Sequence, residues 1–367
     1  MQNAATARTR SKVAVLSTSP ETVLDDYQRL MTLADFEACL PDKSLATVLK
    51  INISWQYWYP ACSTTPWQLD GVIRALRAGG YDNLVATQNA TVVVDAHVGE
   101  TNNKHKPVLD KHAIKTVHLY EEPVEWIRYQ PKRPFLVLDK VYPDGVFIPD
   151  YLIGKNVVHL PTMKTHVFTT MTGAMKNAFG GLLNFNRHWT HGVIHETLSD
   201  LLMIQRDIHP GLFCVMDGTF AGEGPGPRAM EWHVKNTLIA SGDPVAMDAV
   251  AAKIMGFDPL SLKFIRVAHE NGLGCGDVRE MDIVGVDIDK LNWQFKTGDT
   301  FASWGQKQIY WGKLHPLEGL LLRTPIVPWS YAASNIYHNA YWWNAKGKAR
   351  ATKALDTTEW GKLFKTY

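Results

Sequence analysis

A chain of 367 residues is long enough for one large or two modest domains around a sizeable core. Its 46% hydrophobic and 20% charged residues suit an ordinary globular protein, and a formal charge of +2 is too close to balance for a nucleic-acid groove. Four cysteines scattered singly, Cys39, Cys62, Cys214 and Cys275, argue against a disulfide framework or a structural zinc finger, and no run of eighteen apolar residues suggests a transmembrane segment.

The first twenty residues carry Arg8, Arg10 and Lys12 and no acid, but the apolar stretch 13–16 is too short for a signal-peptide core. Cytoplasm is therefore the default expectation, with export behind a trimmed signal left open. Residues 13–16 and 45–53 read as strands, 65–78 as a helix with Pro66 in its first turn and Gly79-Gly80 at its end, and 83–86 as a further strand. Segments 106–114, 116–120, 135–138 and 157–160 continue the alternation, the last as a buried strand, and 171–179 and 191–206 follow as helices. Strands are expected at 212–216, 237–240 and 281–286, around helices at 244–255 and 260–271. This order predicts an α/β fold, a mainly parallel sheet with helices on both faces. The polar, turn-rich stretch 90–103 has the composition of a lid or mobile loop.

Near residue 290 the composition changes. From 291 to the end 15 of 77 residues are aromatic, against 24 of 290 before, and the alternation fades. We therefore divide the chain into an α/β domain, 1–290, and an aromatic-rich C-terminal arm, 291–367. Such an arm can wrap its own domain, make a homodimer contact, wall a pocket or touch a membrane surface.

The segment Leu160-Pro-Thr-Met-Lys-Thr-His166, with Lys176-Asn-Ala-Phe-Gly-Gly181 ten residues on, places cationic groups where an α/β sheet binds ligands, at a strand end. Lys164, His166 and Lys176 are thus candidate catalytic residues; the bland alternative is solvated surface charge. Lys50 and Asn52 at another strand end, Thr64 and Thr65 at a helix start, Asn177, and Arg228 after the glycine-rich loop 217–227 are candidate contacts to a small anion. That loop lacks the Gly-Lys-Ser/Thr of a Walker loop and is interrupted by prolines. If a helix begins near His191, then His191 and His195 lie one turn apart on one face and can hold a transition metal (iron, zinc or nickel) with His166 or Asp217. The plain alternative is histidines that only hydrogen-bond within a packed helix. Asp243 before Pro244 reads as a helix cap.

Several motifs recur in a fixed order: Lys50-Ile-Asn-Ile, Thr64-Thr65-Pro66, Leu160 to His166, Thr172-Gly-Ala-Met-Lys-Asn-Ala-Phe-Gly180, Met216-Asp-Gly-Thr and Ser241-Gly-Asp-Pro-Val-Ala-Met-Asp-Ala-Val250. Together they resemble the family catalogued as domain of unknown function 362, over about residues 45–275. Many relatives carry ferredoxin-like cysteine clusters, and the resemblance gives redox chemistry a slight edge. This chain lacks the cysteine spacing, so no iron–sulfur cluster is expected. The expectation is a metal-dependent enzyme acting on a small carboxylate or phosphate compound. The rival class is a non-catalytic anion-binding or accessory protein with an aromatic docking arm.

Overall fold

A computed structural model describes residues 10–91, 94–325 and 327–367, so Arg8 of the basic terminus and Val92 and Val93 of the 90–103 stretch lie outside the described residues. The strands in them are β1 (Lys12–Ser17), β2 (Thr47–Ile51), β3 (Leu84–Gln88), β4 (Thr116–His118), β5 (Trp126–Arg128), β6 (Phe147–Pro149), β7 (Asn156–Leu160), β8 (Thr162–His166), β9 (Thr170–Thr172), β10 (Leu212–Glu223), β11 (Glu231–Ser241) and β12 (Asp282–Gly285). The main sheet runs β12-β1-β11-β10-β7-β2-β3-β4, and β8 and β9 extend it beside β10. Along that path every neighbouring pair is parallel except the two that include β11. A small ribbon of β5 and β6 stands apart.

Period-two alternation fills both faces of this sheet. Val13, Val15, Val48, Val157, Cys214 and Met216 enter one core, while Ala14, Leu16, Leu49, Val158, Phe213 and Val215 enter the other. Helices Ile194–Ile208, Pro244–Met255 and Lys263–Glu270 cover the first face, and Val23–Leu33 and Pro66–Ala78 cover the second. Their ends are set by local chemistry. Thr65 and Gln68 form a reciprocal capping box ahead of Pro66–Ala78. Asp243 accepts from Val245 N and Ala246 N, and Gly256 at φ +101° closes the far end of that helix.

The expected elements differ from the observed ones in four places. β10 runs on to Glu223 and takes up most of the glycine-rich segment 217–227 expected as a loop, because Phe220, Ala221 and Gly222 pair with β11. The 90–103 stretch contains a helix, Ala96–Asn102, because Asp95 caps it through Val98 N. The helix expected at 171–179 is broken into β9 and two short helical turns, Ala174–Asn177 and Phe179–Leu182. The helix expected from 191 begins at Ile194, preceded by a long 3₁₀ segment, Phe185–Val193. Side-chain bonds to carbonyls three residues back hold that tighter winding: Thr190 Oγ1 donates to Arg187 O, and His191 Nδ1 to His188 O.

The C-terminal arm folds back on the second face. Trp342, Ala351, Ala354, Trp360 and Phe364 join the core that contains Trp67. Trp360 lies 5.0 Å from the Trp67 ring and donates to Asn236 Oδ1, and Trp343 stacks on Tyr57 at 4.5 Å. A second inward set, Ile309, Tyr310 and Leu322, packs beside Phe168.

Candidate functional site

β2 ends at Ile51, and β7 ends at Leu160 where Pro161 has no N–H to continue a ladder. Beyond that proline the chain stays beside β10 as β8 and leaves β2 behind. A gap therefore opens at the carboxyl ends of the parallel strands, the place where α/β sheets bind ligands. It forms a cavity of about 330 Å³. Lys50 and Asn52 reach it from the end of β2, Lys164 and His166 from β8, and Lys176 and Asn177 from the helical turn that follows. Arg187 and His191 come from the 3₁₀ segment and Arg228 from the turn 224–230 between β10 and β11, while Tyr310, Tyr331 and His338 of the arm close the wall.

The lining includes Lys50, Lys164, Lys176, Arg187 and Arg228 and, among the described residues, no aspartate or glutamate. Four of these cations are oriented by neutral acceptors. Lys50 Nζ donates to Ile51 O at 2.7 Å, Lys164 Nζ to Cys62 O at 2.8 Å and Thr162 Oγ1 at 2.6 Å, and Arg228 Nε to Ser54 O at 2.9 Å. Arg187 donates to Ala90 O and Leu183 O. Lys176, half-buried, has the Phe179 ring 4.8 Å from Nζ and no hydrogen-bond acceptor among the described residues. Burial, assisted by Arg187, brings Lys50 down to about 7 and Lys176 to about 8; burial brings Lys164 down to about 7. Arg187 and Arg228 are each lowered to about 10 by burial. Lys164 is 1% exposed, so it is no solvated surface charge.

The histidines divide by tautomer. His166 Nδ1 accepts from Phe168 N at 3.1 Å and Thr169 N at 3.4 Å, and burial holds the ring well below the usual histidine range. The neutral ring then carries its proton on Nε2 and acts as a donor. His191 has the opposite arrangement. Its Nδ1–H donates to His188 O at 3.0 Å, burial and then Lys176 push it down to about 3, and the lone pair sits on Nε2.

Four of the expected site residues fall elsewhere. Asp217 is fully buried, and its two oxygens accept from Tyr27 Oη, Thr65 Oγ1, Trp67 Nε1, Thr219 N and Thr219 Oγ1. Thr65 is spent on that carboxylate and on its capping box. Thr64 ties the strand ends together, donating to Leu160 O and accepting from Asn52 N. His195 leaves the cavity for a neighbouring cleft beside Lys263 and Lys307. The switch from 3₁₀ to α winding between His191 and His195 removes the shared face that a continuous helix gives.

The cavity residues accordingly do not fit a transition metal. Among the described residues no three His, Cys, Asp or Glu ligands converge there, His166 has its lone pair engaged, and the nearest charges are cationic.

Sequence reasoning missed Arg187, which stands in the same run as His191, and the arm's Tyr310, Tyr331 and His338. Arg187 had a signal, a cation next to a histidine cluster, and Tyr310 and Tyr331 had one in the arm's aromatic composition, which suits a pocket wall; His338 had none. Gly173 and Asp248 explain two motifs at once. Asp248 accepts from Ala174 N at 2.7 Å and Met175 N at 3.1 Å, fixing the turn that carries Lys176, and a Cβ on Gly173 would stand 2.0 Å from Asp248 Oδ1.

The family described as Domain of unknown function (DUF362) matches residues 47–253. The chain belongs to this family. The DUF362 match carries the five cationic side chains of the cavity, whereas the arm that closes it lies beyond the matched span. A curated relative, the Thylakoid-associated protein sll1697 of Synechocystis sp., is 31% identical over 121 residues, which is 32% of this chain and 37% of that protein's length. The match thus spans little more than a third of that relative. No solved structure matches the chain.

Proposed function

We propose that the protein is an enzyme that binds a small, multiply charged carboxylate or phosphate compound in the cationic cavity and moves a proton on it. One observation carries the reading: five buried or half-buried cations face a cavity in which no carboxylate of the described residues neutralises them. Clustering like charges at this depth is costly unless an anion completes the set. Arg187 and Arg228, which stay protonated, suit charge recognition in bidentate geometry. Lys50 and Lys164, near 7, exist in both protonation states at neutral pH and suit acid–base transfer. His166 adds an N–H donor to developing negative charge, and His191 Nε2 an acceptor. Calorimetric titration with inorganic phosphate and with citrate tests the binding step. Wild type should bind at least one saturably, and Lys176→Gln and Arg228→Gln should each weaken it about tenfold or more, some 1.4 kcal/mol. Absence of saturable binding to both at millimolar concentration, or binding indifferent to both substitutions, overturns the reading.

A second reading concerns the arm, as a lipid-docking surface of an accessory protein. Among the described residues Phe301, Trp304, Trp311, Leu314, Leu317, Leu320, Trp329, Ile336 and Tyr341 are all exposed, and residues 301–350 carry six Lys or Arg against one acid, Glu318. Three of these cations pair with acids, Lys307 with Asp299, Arg323 with Glu318 and Arg350 with Glu231. Outward apolar side chains together with the other three suit an anionic bilayer surface, and the Synechocystis relative's name supports a membrane association. No helix among the described residues is long and apolar enough to cross a membrane, so contact would be superficial. The protein should co-sediment with vesicles containing phosphatidylglycerol more than with phosphatidylcholine alone, and Trp304→Ser with Leu320→Ser should release it. A protein that ignores both vesicles and forms dimers in solution would assign the surface to a second copy instead.

A further inference from the structure

A cluster outside the cavity has the makings of a metal site. Helix Ala96–Asn102 presents His97 and Glu100 three residues apart, hence on one face. Facing them, at the carboxyl end of β4, are His118 and, three residues later, Glu121. His118 Nε2 lies 2.9 Å from Glu100 Oε1 and His97 Nε2 3.1 Å from Glu121 Oε1, while His118 Nδ1 is 3.6 Å from Glu121 Oε2. The two imidazole rings are 4.1 Å apart. One ligand atom from each of His97, Glu100 and His118 lies within 4.8 Å of the others. A tetrahedral ion with bonds of ~2.0–2.1 Å sets its ligands about 3.3 Å apart, so the side chains would close in by rotamer adjustment of the exposed His97 to bind it.

The charges point the same way. Glu100 is 6% exposed, and among the described residues neither it nor Glu121 pairs with a lysine or arginine. The groups that face these carboxylates are the two imidazoles, whose ring centroids lie 4.1 Å apart with their planes tilted by 40°. A divalent ion held by the two imidazoles and Glu100 would balance the buried carboxylate.

We propose that His97, Glu100 and His118 bind a divalent transition metal, with zinc the best match to two imidazoles and a carboxylate, and that Glu121 orients an imidazole by accepting from its other N–H. Carboxylate partners of this kind fix ring orientation in zinc sites. Three protein ligands leave a fourth position for water. The ion would act as a clip. Asn89, Thr91 and Val94, just ahead of the helix bearing His97, line the anion cavity, and His118 belongs to the edge strand of the sheet. Metal binding thus fastens one wall of the cavity to the sheet, independently of what the cavity holds.

The test uses the full chain without a histidine tag, stripped by chelator and titrated with zinc sulfate by calorimetry and with cobalt(II) chloride by visible absorption. One equivalent should bind, with cobalt bands of a four- or five-coordinate site. His97→Ala and Glu100→Gln should abolish stoichiometric binding, Glu121→Gln should weaken it roughly 10–100-fold, and His191→Ala in the cavity should leave it unchanged. His97 is exposed, so its loss does not threaten the fold, and circular dichroism checks the Glu100 variant. Wild type that binds no zinc at micromolar free metal, or variants at His97 and Glu100 that bind as wild type does, overturns the proposal and leaves the four residues an ion-pair network.

Discussion

Lys50, Lys164 and Lys176 give the protein a pH dependence whose sign is fixed. Their folded values lie at about 7, 7 and 8, against about 10.4 for a lysine in the unfolded chain. Between those limits the unfolded chain holds more protons than the folded one, so stability rises with pH. The penalty for burying the charges is full below about 7 and fades as pH climbs towards 10. An anion in the cavity opposes burial and raises these values again, so binding draws in protons. Affinity for citrate or phosphate should therefore fall as pH rises above about 8, with proton uptake visible as a buffer-dependent heat. Affinity that climbs with pH would contradict the assignment of these lysines to the anion.

At the scale of elements, the turn Ala174–Asn177 depends on a contact that has no side chain of its own. Gly173→Ala would put a methyl 2.0 Å from Asp248 Oδ1, forcing that carboxylate off Ala174 N and Met175 N and displacing Lys176. We expect anion affinity to fall together with thermal stability, although the substitution changes no charge. A variant with unaltered affinity in the same calorimetric titration would show that the turn does not position Lys176. Strands, caps and the α/β order were legible because each rests on local chemistry: an unbroken apolar run at 13–16, Thr65 with Pro66, Asp243 with Pro244. The gathering of Lys164 and Lys176 at one strand end was legible for the same reason. The His191–His195 pair was misread because a spacing of four shares a face only in an unbroken α-helix, and the backbone here is 3₁₀ up to Val193. Asp217 follows the apolar strand expected at 212–216 and so reads as a strand-end ligand; that five donors surround it is a tertiary fact which the one-dimensional pattern does not encode.

For the whole molecule, the arm decides whether the site exists. The jump in aromatic content near residue 290 announced an appendage, but aromatic composition is compatible with any apolar partner, so where the arm lands was illegible. In the structure it does two things with opposite faces. Trp342, Trp360 and Phe364 face inward to complete the core around Trp67, and Tyr310, Tyr331 and His338 close the cavity over the cationic floor. Each such aromatic removes ~150–250 Å² from water, so losing the inward set removes several kcal/mol of the molecule's small net stability. Truncation after Lys290 should therefore lower the melting temperature, expose the surface around Trp67 and Trp55, and give aggregated protein by size-exclusion chromatography. Any soluble fraction should have lost its affinity for citrate and phosphate, because the opened cavity admits water that screens the five cations. A truncated chain that remains monomeric, equally stable and equally able to bind the anion would show that the arm is an independent attachment and that the charged floor suffices by itself.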